Sequence, residues 1–589
     1  MGHCEAINTD TGADISAASV PEEPDLKLKS EKDQDVEIGV VTATEERSSG
    51  DEKGQNEVVN AEEQDELPPA KAKKSLSFKL AFIGLAASIF VFQVDATCLG
   101  IALPTIAGDL HGTTLQSFWA NLSYTLCSLV TQPVWAAVSN AFGRKPPLYA
   151  SMALFSAGSI VFATAGSMRA IIAGRVLQGL GGGGLDILVE VILTDMTALD
   201  ERATYLGLMA VPNAVGNIMG PAVGALFSTY ATWRWIGWIN LPLLGAGAVL
   251  VFFFLKLRPV PLDAGLGANL ARLDWVGMAL VVVGITILVL PISWAGSLFP
   301  WASWQTLLPL LCGVAVLALF VLYESRPANP IIPHRLFHSK TGNVTLAGGF
   351  IHGVILVSLL QYLPLLYQAV ELESPIASAV SLLPTVIVSV VVAAASMMMV
   401  PLFGGYVWLL RLSWVILTLG TGLLALFDVS SSPSLRYGLP VLWGQGVALL
   451  RLNLLPMQAS VKNVDDVGQA IAVFFTLRLF GGLVGLTVSA AVFTNVFATA
   501  IADAGVPLTG ALEPLGQAAN AVNFIGRLRG LGGVVTGETL GAVLGVYLRC
   551  FRMIFYVMTG MGAVGLVSSL GMEEIGLVGG ERGGQRFEE

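Results

Sequence analysis

IIAGRVLQGLGGGGLDILVEVILTD, residues 171–195, decides the class of this protein. The run is apolar over about the 20 residues that a helix needs to cross a bilayer. Yet Arg175, Asp186 and Glu190 stand inside it, and Asp195 closes it. Ionisable groups at membrane depth are costly and are tolerated where they face a protein interior or a water-filled cavity. Asp186 and Glu190 are four apart and share a helix face, and Gln178 follows Arg175 by three. Gly179 and Gly181 to Gly184 strip side chains from the middle, so either a neighbouring helix comes close or a solute has room. Each glycine costs a helix roughly 1 kcal/mol relative to Ala, so such a run implies a use. The pattern reads as a transmembrane helix that forms one wall of a polar pathway.

Outward from that run, the 589 residues are 54% hydrophobic and 13% charged, and apolar blocks of about 20 residues recur. This is the profile of a polytopic membrane protein. The acidic excess behind the net charge of −10 sits in residues 1–77, which contain no Phe, Trp or Tyr. Such a segment buries too little apolar surface to offset its ordering entropy and reads as a disordered cytoplasmic tail. It carries no signal peptide: MGHCEAINTDTGADIS has neither a basic nor an apolar region. Cys98, Cys127, Cys312 and Cys550 are dispersed and make neither a metal spacing nor a disulfide framework. Nothing suggests nucleic acid. The absence of a phosphate loop, metal-ligand cluster or nucleophile elbow argues against a primary pump, an enzyme and any cofactor.

The length rule gives about fourteen spans. They lie near 78–103, 115–138, 148–165, 170–193, 205–227, 236–255, 275–294, 307–322, 344–366, 377–399, 407–427, 439–457, 470–497 and 542–570. Lys71, Lys73, Lys74 and Lys79 before the first span, and Arg144 and Lys145 after the second, mark the cytoplasmic side. Arg202, Lys256, Arg258, Arg272, Arg411 and Lys462 agree, and an even count returns the C-terminus to the cytoplasm. The loop at 498–541 is expected outside, with room for a short amphipathic helix.

Several motifs in order carry a family resemblance. FGRK after the second span resembles the loop signature of the major facilitator superfamily. RVLQGLGGGG is similar to its fourth-helix signature, with Arg175, Gln178 and Gly179 in register. GNIMGPAVG, with Gly216, Gly220, Pro221 and Gly224, resembles the fifth-helix signature of its antiporters. VDATCLGIALPTIAGDL, around Asp95, resembles the first-helix signature of the fourteen-span drug:proton antiporters. WRWIGWINLP, QYLPLLYQAV and Ser374-Pro375 look like the same subfamily in its fungal form.

The resemblance implies an all-α integral membrane fold of two six-helix bundles, at 78–256 and 343–570. Two extra helices and a cytoplasmic loop would fill 257–342, and a second cytoplasmic tail 571–589. It implies a monomer in the plasma or vacuolar membrane that exports amphipathic drugs, toxins or secondary metabolites in exchange for protons by alternating access. Uptake of amino acids or iron-chelates, or sensing without transport, are the alternatives.

Site residues follow from motif and depth together. Asp95, two-thirds along a helix that starts inside, and Arg175, one-quarter along a helix that starts outside, fall at similar depth. A carboxylate holds a proton more tightly alone than beside a guanidinium, so a change of partner can load or release one. Arg175 cannot discharge and must be paired or wet. Asp186 and Glu190 are either a proton relay and substrate contact or a structural pair. Asn140, Gly143, Arg144, Lys145, Asp195 and Arg202 form the expected gate. Asn140 stands where the family has an acidic residue, which removes a charge pair, so the gate is either weaker or held by Asp195 instead. Gly216, Gly220, Pro221 and Gly224 would give a smooth helix face. His352, Arg451 and Arg478 lie in or near spans of the second half, which lacks a GRK copy; Arg451 and Arg478 either line the pathway or snorkel at loop ends. Phe118, Trp119, Tyr362 and Tyr367 line a cavity or pack in the core.

Overall fold

The computed structural model describes residues 74–258, 266–296, 299–327, 329–463, 466–576 and 587–588. Most of the acidic tail lies outside these residues, as does Cys4. Fourteen long helices carry the described chain. They are α1 (Leu76–Asp109), α2 (Thr114–Phe142), α3 (Lys145–Ala163), α4 (Met168–Met196), α5 (Leu199–Tyr230), α6 (Trp235–Phe254), α7 (Trp275–Trp294) and α8 (Trp304–Tyr323). After them come α9 (Lys340–Val370), α10 in two pieces (Pro375–Ser381 and Leu383–Phe403), α11 (Val407–Leu423), α12 (Pro433–Leu449), α13 (Val467–Asp503) and α14 (Gly537–Ser569). Among the described residues no strand forms beyond two isolated bridges. Twelve helices are long and apolar enough to cross a membrane. α2 is diluted by Ser, Thr, Gln and Asn, and α12 has only 17 residues.

Local chemistry starts and stops these helices. Ser75, Ser167, Ser339, Ser374 and Thr536 each accept a backbone N–H of the first turn of α1, α4, α9, α10 and α14. Thr113 and Gln116 make a reciprocal capping box on α2. Gly143 and Gly404 end α2 and α10 with φ of 83° and 67°, a backbone region that favours glycine. The span expected at 439–457 is interrupted: a 3-10 turn, Leu450–Asn453, separates α12 from a short helix, Leu454–Ala459. Pro456 lacks the N–H that would continue the ladder there.

The pairing of helices repeats. α1 packs on α5 and α6, α4 on α2 and α3, and α3 on α6. Eight helices later, α9 packs on α13 and α14, α12 on α10 and α11, and α11 on α14. The two sets meet through α2 with α13 and through α5 with α10, which is the same contact with the roles exchanged. α7 and α8 pair with each other, and α7 leans on α2 and α13.

Glycines set the closest of these approaches. On α5, a Cβ at Gly216 would lie 2.8 Å from the Phe90 carbonyl of α1 and one at Gly220 2.7 Å from that of Val94, while one at Gly224 would overlap the Cys98 carbonyl. The second set repeats the seam without a sequence signature. Cβ atoms at Gly481 and Gly485 of α13 would overlap the Phe350 and Val354 carbonyls of α9.

The end of the chain ties both sets at the side that bears residues 143–145. The Glu574 carboxylate accepts from the N–H groups of Tyr406 (3.0 Å) and Val407 (2.9 Å), and so caps α11. Phe587 packs its ring edge-on to Phe78 of α1 at 5.6 Å and donates its N–H to the Asp195 carbonyl at 3.4 Å.

Overpacking a close backbone contact costs about 1–3 kcal/mol. Gly485→Val is therefore expected to lower the melting temperature of the detergent-solubilised protein. Gly438→Val, with nothing within 4 Å of its Cβ, should leave it unchanged.

Candidate functional site

A buried ion pair with several further hydrogen bonds lies between α1, α3, α4 and α6. Arg175 of α4 donates Nη1 to Asp95 Oδ2 of α1 at 2.5 Å, and to Gln178 Oε1 at 3.1 Å. It also reaches the Asp95 backbone carbonyl, at 3.4 Å from Nη2. Its guanidinium lies over the Tyr124 ring of α2, 4.1 Å from the centroid. The other carboxylate oxygen, Oδ1, accepts from Asn240 Nδ2 of α6 at 2.8 Å and from Gln178 Nε2 at 3.2 Å. Both amides also donate to Ser159 Oγ of α3. Asp95 is 1% exposed, and Arg175 and Gln178 are 0% exposed. The equal depth read from the sequence thus becomes an ion pair sealed inside the first helix set.

Asn240 and Ser159 were not singled out by sequence reasoning. Asn240 had a signal: it is a lone amide in the apolar run WIGWINLPLL. Ser159 had none, being one small residue among many on α3.

The glycine run of α4 is filled by neighbouring helices. Cβ atoms at Gly179 and Gly183 would come within 2.5 Å of the Tyr124 and Ser128 carbonyls of α2, and one at Gly181 within 2.5 Å of the Ser151 carbonyl of α3. The glycines let α4 lie between α2 and α3, and they leave no solute space of their own. Arg175, Gln178 and Asp186 of α4 bond to groups on neighbouring helices. Asp186, 7% exposed, accepts from Gln132 Nε2 of α2 at 2.8 Å, and Glu190 is fully buried.

The expected gate residues gather at one end. Arg144 donates Nε to Asp195 Oδ2 at 2.8 Å, and Nη1 to Ser139 Oγ at 2.8 Å and Asn140 Oδ1 at 2.5 Å. Asn140 accepts through its carbonyl oxygen, and Asp195 supplies the negative charge of this cluster. Gly143 turns the chain there, and Lys145 opens α3 half-buried. The latch touches the second helix set, since a Cβ at Gly468 of α13 would lie 3.4 Å from Arg144 Nη2. Arg202 donates to the Thr194 carbonyl at 3.0 Å and reaches Gln458 Oε1 at 3.4 Å across the same interface. Beside it, Arg335 makes a two-pronged pair with Asp466, its Nη2 2.7 Å from Oδ1.

Gly216, Gly220 and Gly224 press on the stretch of α1 that carries Asp95, and Pro221 sits within the continuous α5 helix. In the second set, His352 is buried, and Arg478 lies 5.5 Å from the Phe475 ring centroid. The side chains of Arg451 and Phe118 are outside the described residues. Tyr362 and Tyr367 pack in the core, and Trp119 lies against the cluster around Leu122 and Leu126. At the end opposite the latch, Arg436 pairs with Glu371 at 2.6 Å. Burial pushes the Glu371 carboxyl up, with Arg436 opposing. Among the described residues no group of three or more His, Cys, Asp or Glu could hold a metal.

Comparison with known proteins agrees with this architecture. The family model described as Major Facilitator Superfamily matches residues 85–486. The chain is 68% identical to the MFS-type transporter sphD of Aspergillus fumigatus, over all of both chains. It is 34% identical to Efflux pump FUS6 of Gibberella moniliformis, over 72% of this chain and 76% of that one. It is 30% identical to the MFS-type efflux pump MMF1 of Mycosarcoma maydis, over 86% and 81%. Among solved structures, the human organic anion transporter MFSD10 aligns with a TM-score of 0.53 at 14% identity, over 84% of this chain and 100% of that one. The proton:xylose symporter XylE aligns with a TM-score of 0.51 at 11% identity, over 85% and 98%. Both show the fold alone.

Breaking a buried ion pair from one side costs about 3–5 kcal/mol, because the partner is left uncompensated. Arg175→Met is expected to destabilise the protein by that order, read in thermal unfolding. Asp95→Asn combined with Arg175→Met should recover part of the loss; a double-variant loss equal to the sum of the two single-variant losses would show that the two side chains do not depend on each other.

Proposed function

The chain belongs to the major facilitator superfamily and is a multi-pass membrane transporter of small molecules, not an enzyme; from that premise we propose that it exports amphipathic organic compounds in exchange for protons. The relatives named efflux pumps support the direction. The single observation that carries the coupling is the Asp95–Arg175 pair, buried at the crossing of four helices and bonded through Gln178 and Asn240. A carboxylate paired with a fixed guanidinium has two available states: ionised and paired, or protonated with the pair opened. Arg175 cannot release its own proton, so the exchangeable proton is assigned to Asp95.

In this reading the two helix sets rock about the α2–α13 and α5–α10 contacts, as alternating access requires. The Arg144–Asp195 latch and the Arg202–Gln458 contact close one end. That end is assigned to the cytoplasm, with both termini, because the basic loop residues collect there. The bundle boundaries at 78–256 and 343–570, with α7 and α8 inserted between them, belong to this proposal. Asp186 and Glu190 form a second carboxylate face nearer the latch and are assigned to proton movement between the pair and that end. The proposed working unit is a monomer in the plasma membrane.

The test is efflux from cells that express the wild type, Asp95→Asn or Asp186→Asn, with and without a protonophore. Wild-type export should stop when the gradient collapses, and Asp95→Asn should be inactive at normal surface expression. Export that persists without a gradient would sink the antiport assignment.

A further inference from the structure

α5 shows four faces to its surroundings. At 3.6 residues per turn, Gly216, Gly220 and Gly224 share the face toward α1. Gly207 and Ala210 face α10, where a Cβ at Gly207 would lie 2.9 Å from Met397 and Ala210 clusters with Ala393. Leu208, Met219 and Leu226 are exposed on the outer face. Asn213 and Asn217 lie on the fourth face, between the α1 and α10 contacts and turned away from the outer face.

Their partners are amides rather than charges. Asn217 Nδ2 donates to Gln93 Oε1 of α1 at 2.9 Å and to the Asn213 carbonyl at 3.2 Å. Thr97 Oγ1 donates to the Asn217 carbonyl at 3.1 Å. Asn213 is 6% exposed, and its Nδ2 is buried with no hydrogen-bond partner. A buried amide donor left unmade costs about 1–3 kcal/mol, so an oxygen that accepts from Asn213 Nδ2 would be favoured there. Gln93 shares its face of α1 with Ala96 and Gly100, and Gly100 is exposed with nothing within 4 Å of its Cβ. Asp95 points to the opposite side of α1.

We propose that Gln93, Asn213 and Asn217 form a substrate site for uncharged amphipathic molecules that present carbonyl or hydroxyl oxygens. The Asn213 amide supplies a ready donor. The Gln93–Asn217 bond can open to supply a second donor and an acceptor. A formal charge on the substrate would enter without a counter-charge among these groups, and burying it unpaired is far costlier than burying an oxygen that accepts a hydrogen bond. The site rests on the export reading and deepens it. Substrate and proton then sit on opposite sides of one helix, and α1, held against the α5 glycines, links them.

The test uses the full chain in lipid nanodiscs carrying Asn213→Cys or, as the outer-face control, Met219→Cys. A charged methanethiosulfonate is added and the label is read by peptide mass spectrometry, so the native cysteines need no replacement. Position 213 should be labelled and position 219 spared. Progesterone, a neutral carbonyl-bearing probe, should slow labelling at 213 several-fold at saturation, while tetraphenylphosphonium should not. No label at 213 in monodisperse protein, no slowing by progesterone, or slowing by tetraphenylphosphonium, alone or as well, would overturn the proposal. Gradient-independent export in cells would sink antiport and leave the labelling pattern unchanged.

Discussion

A guanidinium that cannot lose its charge must be satisfied wherever it is buried. Arg175 is fully buried, and its requirement organises the first helix set. Asp95 brings α1 to it, Tyr124 brings α2, and Ser159 brings α3 through Gln178. Asn240 adds α6 by taking up the second carboxylate oxygen. The glycines of α4 then become intelligible, because side chains there would hold α2 and α3 too far away for the network to close. The helix pairings recur in the second set, so the repeat is one of architecture.

α1 is the element through which the proposed steps communicate. One side carries Asp95, another bears on the Gly216, Gly220 and Gly224 seam, and a third presents Gln93. A seam without side chains permits small shifts of one helix along another at low steric cost. The latch at the end of α4 is part of the same chain of contacts, since Asp195 lies beyond Glu190 on the helix that holds Arg175.

Much of this was legible in the sequence. Thirteen of the expected spans overlap a long helix, because membrane crossing imposes length and apolarity together, and the one at 439–457 runs from α12 through a 3-10 turn into a short helix. Arg175, Gln178 and Asp95 were legible because charge in an apolar run is conspicuous. The replacement at Asn140 left a weaker gate or one held by Asp195 as alternatives, and Arg144 bonds to both side chains. Asn240 was visible but looked neutral, and Ser159 and the amides of α5 look like ordinary polar residues until their neighbours are known. The filling of the α4 glycines was also beyond the sequence. A glycine run allows both close packing and open space, and only the positions of Tyr124, Ser128 and Ser151 decide between them. The cap on α11 by Glu574 spans 167 residues of chain, a distance no local pattern encodes.

The central claim is that Asp95 changes protonation state, and infrared difference spectroscopy of the purified protein during a pH titration reads that directly. The account predicts a protonated-carboxyl band that grows as pH falls through the range in which transport runs and that disappears in Asp95→Asn. A titration in which the same band persists in Asp95→Asn, or never forms in the wild type, would make the Asp95–Arg175 pair a permanent structural tie and would contradict the proposed coupling.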